Sequence, residues 1–224
     1  MEHEILFQPT YSLLRVRLNR GESLRAEAGA MVSMSADIAI STEMKGGLFG
    51  ALKRKLAGES VFMNTFTAER DGEVTLAPPL PGDIVAYELR GRELVAQSGA
   101  YIASTEGIEV DAKWGGARSF FAGEGFIMLR LSGSGTVFLS SYGAIYEVEL
   151  EVGQTYTVDT GHIVAFDATV DYGVKRVGGL KSTLFSGEGL VAEFRGPGKL
   201  MIQTRSEDSF LSWLIPRLPK SSGD

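Results

Sequence analysis

Apolar and polar residues alternate along most of this chain with a period of two, and glycines interrupt the alternation at short intervals. Ile5-Leu6-Phe7 and Leu13–Leu18 read as strands. In the second, Leu14, Val16 and Leu18 interleave with Arg15 and Arg17, so one face is buried and both arginines point to solvent. Asn19-Arg20-Gly21-Glu22 is a turn, with counterparts at Leu89–Glu93 and Glu151–Gln154. Residues 84–110 read as further strands.

A longer period lies over this one. Gly58-Glu59-Ser60, Gly123-Glu124-Gly125 and Gly187-Glu188-Gly189 stand 65 and 64 residues apart, and each opens an apolar run, a Gly turn and a second apolar run. Upstream of each lies a small-Gly marker: Ala28-Gly29-Ala30, Ser98-Gly99-Ala100 and Thr160-Gly161-His162. Between the two lies a Gly pair, at 46–47, 115–116 and 178–179. Markers recurring in one order predict internal triplication. The expectation is an all-β protein of three β-sandwich or double-stranded-β-helix-like repeats related by a pseudo-threefold axis. Repeat one covers 1–80, repeat two 81–142 and repeat three 143–205, packed as one compact unit, with a short C-terminal helix and tail over 206–224. The shared turn residues Gly58, Glu59, Gly123, Glu124, Gly187 and Glu188 are assigned a structural role. Each carboxylate accepts backbone N–H bonds at its own turn, because three converging like charges would repel. The marker glycines predict bulges within strands. Asp71-Gly72, Ser132–Gly135 and Ser140–Gly143 read as hairpin turns. Pro78, Pro79 and Pro81 make a stiff link between repeats one and two.

Two stretches depart from the strand pattern. From the second Gly of the pair to the next Gly-Glu is 11 positions in repeat one, against 7 and 8 in the others. The extra residues place Leu48, Phe49, Leu52 and Leu56 on one side of a short helix beside the basic cluster Lys53, Arg54 and Lys55. The favoured reading is a packed excursion with a solvated basic edge. A lid, or a surface meeting a membrane or an anionic partner, is the alternative; three basic residues at about 1 kcal/mol each bind an anionic bilayer weakly. After Thr204, Ser206-Glu207-Asp208 starts a helix with acids in its first turn, Phe210, Leu211, Trp213, Leu214 and Ile215 follow, and Pro216 stops it. Phe210 and Trp213 are candidate contacts to the β body or to a neighbouring subunit.

Composition narrows the functional classes. The 224 residues carry a net charge of −6 and a pI near 5.1. That balance argues against nucleic acid and against broad affinity for anionic membrane. Without cysteine there are no disulfides or thiolate metal sites. The acidic start Met1-Glu2-His3-Glu4 predicts no signal peptide, and no apolar run reaches the roughly 20 residues of a membrane span. The expected location is cytoplasmic, free or peripheral to a membrane. Candidate chemistry is sparse. Val158-Asp159-Thr160-Gly161 contains an Asp-Thr-Gly, but the corresponding residues Glu27-Ala28-Gly29 and Gln97-Ser98-Gly99 supply no second one, so a proteolytic dyad is not expected. Asp159, His162 and Asp167 are weak candidates for metal ligands. His162 is one of only two histidines, and a lone strand histidine is more often a hydrogen-bonded core residue. Trp114, beside a Gly pair, could line a pocket, although aromatics near glycine more often fill the space glycine leaves. No cofactor is expected.

The run Lys45-Gly46-Gly47-Leu48-Phe49 with Lys53-Arg54 and Ala57-Gly58-Glu59-Ser60, together with Gly123-Glu124-Gly125, Val158–His162 and Ser186–Leu190, resembles the altered-inheritance-of-mitochondria, mitochondrial-biogenesis family over nearly the whole chain. The resemblance implies a fold like that of the trp RNA-binding attenuation protein and a homo-oligomeric assembly. The family's eukaryotic relatives are tied to mitochondrial inner-membrane organisation; the acidic start, which does not read as a transit peptide, predicts a prokaryotic member here. The resemblance carries over no catalytic residues. The leading expectation is a non-catalytic scaffold or binding protein that self-associates and docks to an unknown protein or membrane surface. The alternatives are a small-ligand binder with a pocket near a Gly pair, and a metal-dependent enzyme centred on His162.

Overall fold

The computed structural model describes residues 1–43, 63–112, 120–121, 126–176 and 190–219. The chain is all-β with a short C-terminal helix, as the alternation predicts. The strands are β1 Glu2–Leu6, β2 Leu13–Leu18, β3 Ser23–Glu27, β4 Met31–Met34 and β5 Ile38–Glu43, then β6 Met63–Ala68 and β7 Gly72–Leu76. There follow β8 Ile84–Arg90, β9 Leu94–Gln97, β10 Tyr101–Thr105, β11 Ile108–Asp111, β12 Phe120–Phe121 and the long β13 Phe126–Ser140. The last set is β14 Ile145–Leu150, β15 Thr155–Asp159, β16 Ile163–Asp167, β17 Asp171–Arg176, β18 Leu190–Arg195 and β19 Gly198–Gln203, before helix α1 Glu207–Leu214.

The same choice of partners occurs over 13–76, 84–140 and 145–203. β2 and β4 flank β7, while β3 and β5 flank β6. β8 and β10 flank the C-terminal half of β13, while β9 and β11 flank its N-terminal half. β14 and β16 flank β19, while β15 and β17 flank β18. All pairs are antiparallel. Two further pairings join one set to the next, β10 to β3 and β16 to β9. They yield two six-strand orders, β8-β13-β10-β3-β6-β5 and β14-β19-β16-β9-β13-β11. Because β13 runs through both and also pairs with the short β12, hydrogen bonding merges them into one 12-stranded sheet. β1-β2-β7-β4 and β15-β18-β17 remain separate sheets.

Four local expectations change. The marker glycines sit in turns between strands rather than inside them, and two of the turns are single 3-10 turns, Ser98–Ala100 and Thr160–His162. The register shift comes just downstream, between Met31 and Ser33, Tyr101 and Ala103, and Ile163 and Ala165. Asp71-Gly72 is not a hairpin: β6 and β7 pair with different strands and belong to different sheets. Ser132–Gly135 is not a turn at all but lies within β13, where Gly133 and Gly135 take φ of 106° and 149°. A side chain at Gly133 would meet the Gly107 carbonyl oxygen at 2.1 Å, so glycine lets this strand cross from one sheet to the next against a close neighbour. Ser140–Gly143 likewise leads to β14, which does not pair with β13. There Gly143 bridges to Gly82, and a Cβ on Gly82 would stand 1.7 Å from the Ser141 carbonyl oxygen.

The inward-facing residues form three apolar clusters. One gathers Leu14, Val16, Phe66, Ile84 and Phe138; a second Leu89, Tyr101, Leu129 and Leu139; a third Phe166, Phe194 and Leu200. Phe166 meets Tyr172 and Phe194 edge-on at centroid distances of 4.9 and 5.0 Å. In β2 the alternation is realised as read: Leu14, Val16 and Leu18 are buried and Arg17 is exposed.

Candidate functional site

A cleft of about 150 Å³ lies where strands of all three pairing sets end. β3 ends at Glu27 and β9 at Gln97, both lining it; Gly161, two residues beyond the end of β15, lines it as well. The opposite wall comes from Pro78, Pro79 and Leu80, from Ser140–Tyr142, and from Gln203. Glu207, the first residue of α1, stands at its rim. The proline-rich link is therefore part of a wall as well as a connection. Pro fixes φ and offers no N–H, so this segment holds an extended path beside the cleft without strand pairing.

The three equivalent strand ends carry different side chains with different uses. Asp159 accepts the Gly161 amide through Oδ1 at 2.9 Å and caps its own 3-10 turn. Gln97 precedes an equivalent turn without capping it. Glu27 is half-buried, and desolvation pushes its carboxyl up to about 7, with no hydrogen bond or positive charge among the described residues to offset it. Gln203 holds the floor: its Oε1 accepts the Tyr142 amide at 2.8 Å, and its Nε2 donates to the Gly161 carbonyl at 2.9 Å. Near the Glu27 end, the buried Tyr101 hydroxyl lies 2.8 Å from Ser104 Oγ, and burial pushes its pKa well above the usual tyrosine range, so it stays protonated.

The structure gives the residues singled out for chemistry other employment. His162 donates from Nδ1 to the Gln203 carbonyl at 2.7 Å, which fixes its tautomer and ties the marker turn to the end of β19. Asp167 accepts the Tyr87 hydroxyl at 2.7 Å and the Lys199 amide at 3.0 Å. Burial, then Asp167, pushes the Tyr87 pKa well above the usual tyrosine range and keeps the hydroxyl protonated. Asp159 is the cap just described. Among the described residues no group of three His, Cys, Asp or Glu is arranged to hold a metal ion. Leu48, Phe49, Lys53, Arg54, Lys55 and Trp114 lie outside the described residues, as do the Gly pairs and Gly58, Glu59, Gly123, Glu124, Gly187 and Glu188.

Two apolar surfaces stand open. The first is α1. Ser206 caps it, accepting the Ser209 amide at 3.4 Å, and a 3-10 turn containing Pro216 ends it, as the sequence indicates. Phe210 meets the β body, edge-on to Tyr142 at 6.1 Å, and stacks on Trp213, which carries the Arg217 guanidinium 4.8 Å above its ring. Leu211, Trp213, Ile215 and Leu218 face solvent. The second is β4, which among the described residues pairs only with β7 and leaves Met31, Val32 and Met34 exposed at 40%, 58% and 38%. Sequence reasoning missed both this edge and the cleft. The only local signal for the cleft was the acid at 27 standing where repeat three has Asp159.

Comparison with known proteins agrees with the strand layout. The family described as Mitochondrial biogenesis AIM24 matches residues 3–205. An uncharacterised protein of Streptococcus pyogenes serotype M6 is 30% identical over 221 residues, covering 95% of this chain and 89% of that one. A crystal structure of a Streptococcus pyogenes protein superposes with a TM-score of 0.83 at 30% identity, covering 97% of this chain and 99% of that one.

Proposed function

We propose, from the premise that the chain belongs to the Mitochondrial biogenesis AIM24 family, that this protein is a non-catalytic, self-associating scaffold. It is built of repeats over 1–80, 81–142 and 143–205 about a pseudo-threefold axis. The repeat assignment is supported by the recurrence of one pairing pattern with one downstream register shift. One observation carries the functional reading. The side chains suited to chemistry, Asp159, His162 and Asp167, are spent on internal hydrogen bonds, while the open apolar surface lies on β4 and α1. β4 serves self-association. α1, with Trp213 at its centre, serves docking to a protein or to the surface of a membrane from the cytoplasmic side. Among the described residues no helix is long and apolar enough to cross a membrane.

Native mass spectrometry of the purified protein tests this. Masses at integer multiples of 24.1 kDa above one, with nothing added, are expected. A monomer alone would overturn the self-association.

A second reading, a small-ligand binder, is favoured by the cleft, because Glu27 stands half-buried with no partner among the described residues. A compact amine or other hydrogen-bond donor fits a carboxyl in such a wall. A stoichiometric organic mass in the same spectrum, lost on Glu27→Gln, would establish this reading in place of the first.

A further inference from the structure

The polar side chains of the cleft are unequally employed. Gln203 is committed at both ends of its amide, to Tyr142 and to Gly161. Ser141 Oγ donates to the Gly143 carbonyl at 2.6 Å, and Ser140 Oγ to the Ala100 carbonyl at 3.5 Å. Glu27, Gln97 and Glu207 make no side-chain hydrogen bond among the described residues. Asp159 shows the other use of the same strand end: its carboxylate folds back onto its own turn and accepts the Gly161 amide. The turn after Glu27 closes through the backbone, the Ala30 amide donating to the Glu27 carbonyl at 3.3 Å, so the side chain is not needed there. Among the described residues no Lys, Arg or His lines the cleft, and one wall is the carbon surface of Pro78, Pro79 and Leu80.

These features select a ligand by its chemistry. Two carboxyls with no cation beside them disfavour an anion, because like charges repel most where water is scarce. A neutral ligand would leave the Glu27 charge without compensation in a half-buried wall. An aliphatic body suits the proline wall. A cleft of about 150 Å³, below the roughly 300–1,000 Å³ of pockets for drug-sized molecules, admits only a slender one. We propose that the cleft binds a short linear aliphatic diamine. One ammonium pairs with Glu27 and donates to Gln97 Oε1, since an ammonium has three donors and no acceptor. The methylenes lie along Pro78, Pro79 and Leu80, and the second ammonium meets Glu207 at the rim.

Pairing at Glu27 links binding to pH. Burial holds this carboxyl near 7, so at lower pH it must give up a proton before it meets an ammonium. The other titratable or charged groups around it do not replace it. Tyr101 is buried and protonated, and the Arg25 guanidinium donates to the Ile108 carbonyl at 3.4 Å. Tyr142 and Glu207 lie on the far wall and the rim, and the 78–80 wall carries no titratable group.

The inference rests on the reading of the cleft as a small-ligand site, and the test separates the two. Putrescine, n-butylamine and butanediol are titrated into the full chain at pH 8 and followed by calorimetry. Putrescine is expected to bind one to one, n-butylamine about fivefold more weakly for want of the exposed pair with Glu207, and the diol not at all. Glu207→Gln should erase the difference between the two amines. Glu27→Gln should weaken putrescine by more than about tenfold with unchanged circular dichroism, because it removes the half-buried charge partner and not a packing contact. In the unsubstituted chain, affinity for putrescine should fall about tenfold from pH 8 to pH 6 as Glu27 takes up its proton. Equal binding of diol and diamine, full affinity in Glu27→Gln, or affinity independent of pH over that range would each overturn the proposal. If none of the probes binds but the purified protein carries a stoichiometric organic mass that Glu27→Gln loses, the diamine is wrong and the ligand reading stands. No binding and no such mass removes both.

Discussion

β4 and β16 occupy the same place in the pairing pattern, yet one is open and the other is core. Met34 corresponds to Phe166 by register: each lies three residues past the start of its strand and opposite the same position of the flanking strand, Val74 for one and Leu200 for the other. Met34 is 38% exposed and Phe166 1%. Both side chains are apolar, so hydrophobicity does not separate them. The difference is the neighbour. β16 has β19 on one side and β9 on the other, whereas β4 has only β7 among the described residues. In this protein a residue of a third strand becomes core when the preceding set supplies its second strand.

The largest effect that could break this comparison is a paired truncation. Phe166→Ala is expected to cost about 3–5 kcal/mol through lost transfer energy and the cavity left among Tyr172, Phe194 and Leu200. Met34→Ala, measured at concentrations where the protein is monomeric, is expected to cost less than about 0.5 kcal/mol. Urea denaturation followed by fluorescence reads both. Equal costs would mean that β4 is not a free edge.

Gly82→Ala comes next. A methyl group there meets the Ser141 carbonyl oxygen and forces apart the bridge to Gly143, so a loss of at least about 2 kcal/mol is expected by thermal unfolding. The same substitution at Gly99, whose Cβ direction is open and whose φ is not left-handed, should change little.

Glu27→Gln sharpens the comparison among the equivalent strand ends. The Glu27 carboxyl sits near 7 in the folded protein against 4.5 for the free group. Below 4.5 both states hold the proton and the group is neutral to stability. Between 4.5 and 7 the folded state keeps a proton that the unfolded chain has lost, so stability falls as pH rises, and above 7 the whole cost of the half-buried charge is present. Replacing the carboxyl by an amide should therefore stabilise the protein by about 1–2 kcal/mol at pH 8, with the gain shrinking towards pH 4.5. Unfolding curves across that range decide the matter; a gain that grows towards low pH would contradict the desolvation argument. Asp159→Asn should show the opposite sign at neutral pH, because that carboxylate accepts an amide hydrogen bond.

The smallest effect concerns α1. Ser206→Ala removes the helix cap and should cost about 1 kcal/mol, seen as faster amide exchange at Glu207–Ser209 with the strands unaffected. Uniform loss of protection would show that α1 is integral to the core.

Much of the fold can be read along the chain because strands and helix starts are local. Alternation in Leu13–Leu18 places Leu14, Val16 and Leu18 inside, and Ser206 with Glu207 and Asp208 marks the first turn of α1. Hairpins at Asp71-Gly72 and Ser132–Gly135 were misread because a glycine signals a change of direction without saying which strand the chain meets afterwards. At Gly133 the chain does not turn but crosses between sheets. Glu27, Gln97 and Gly161 share one cleft because three sets of strands converge, and no spacing in the sequence encodes that.

The sequence by itself determined the β class, the positions of the turn glycines, the C-terminal helix and the scarcity of catalytic side chains, because each depends on residue type and near neighbours. Only the tertiary structure decided which apolar strand is buried, which acid is desolvated, and which strands lie side by side. Those outcomes depend on what the chain places alongside a residue, and backbone hydrogen bonding between strands is indifferent to the distance in sequence that separates them.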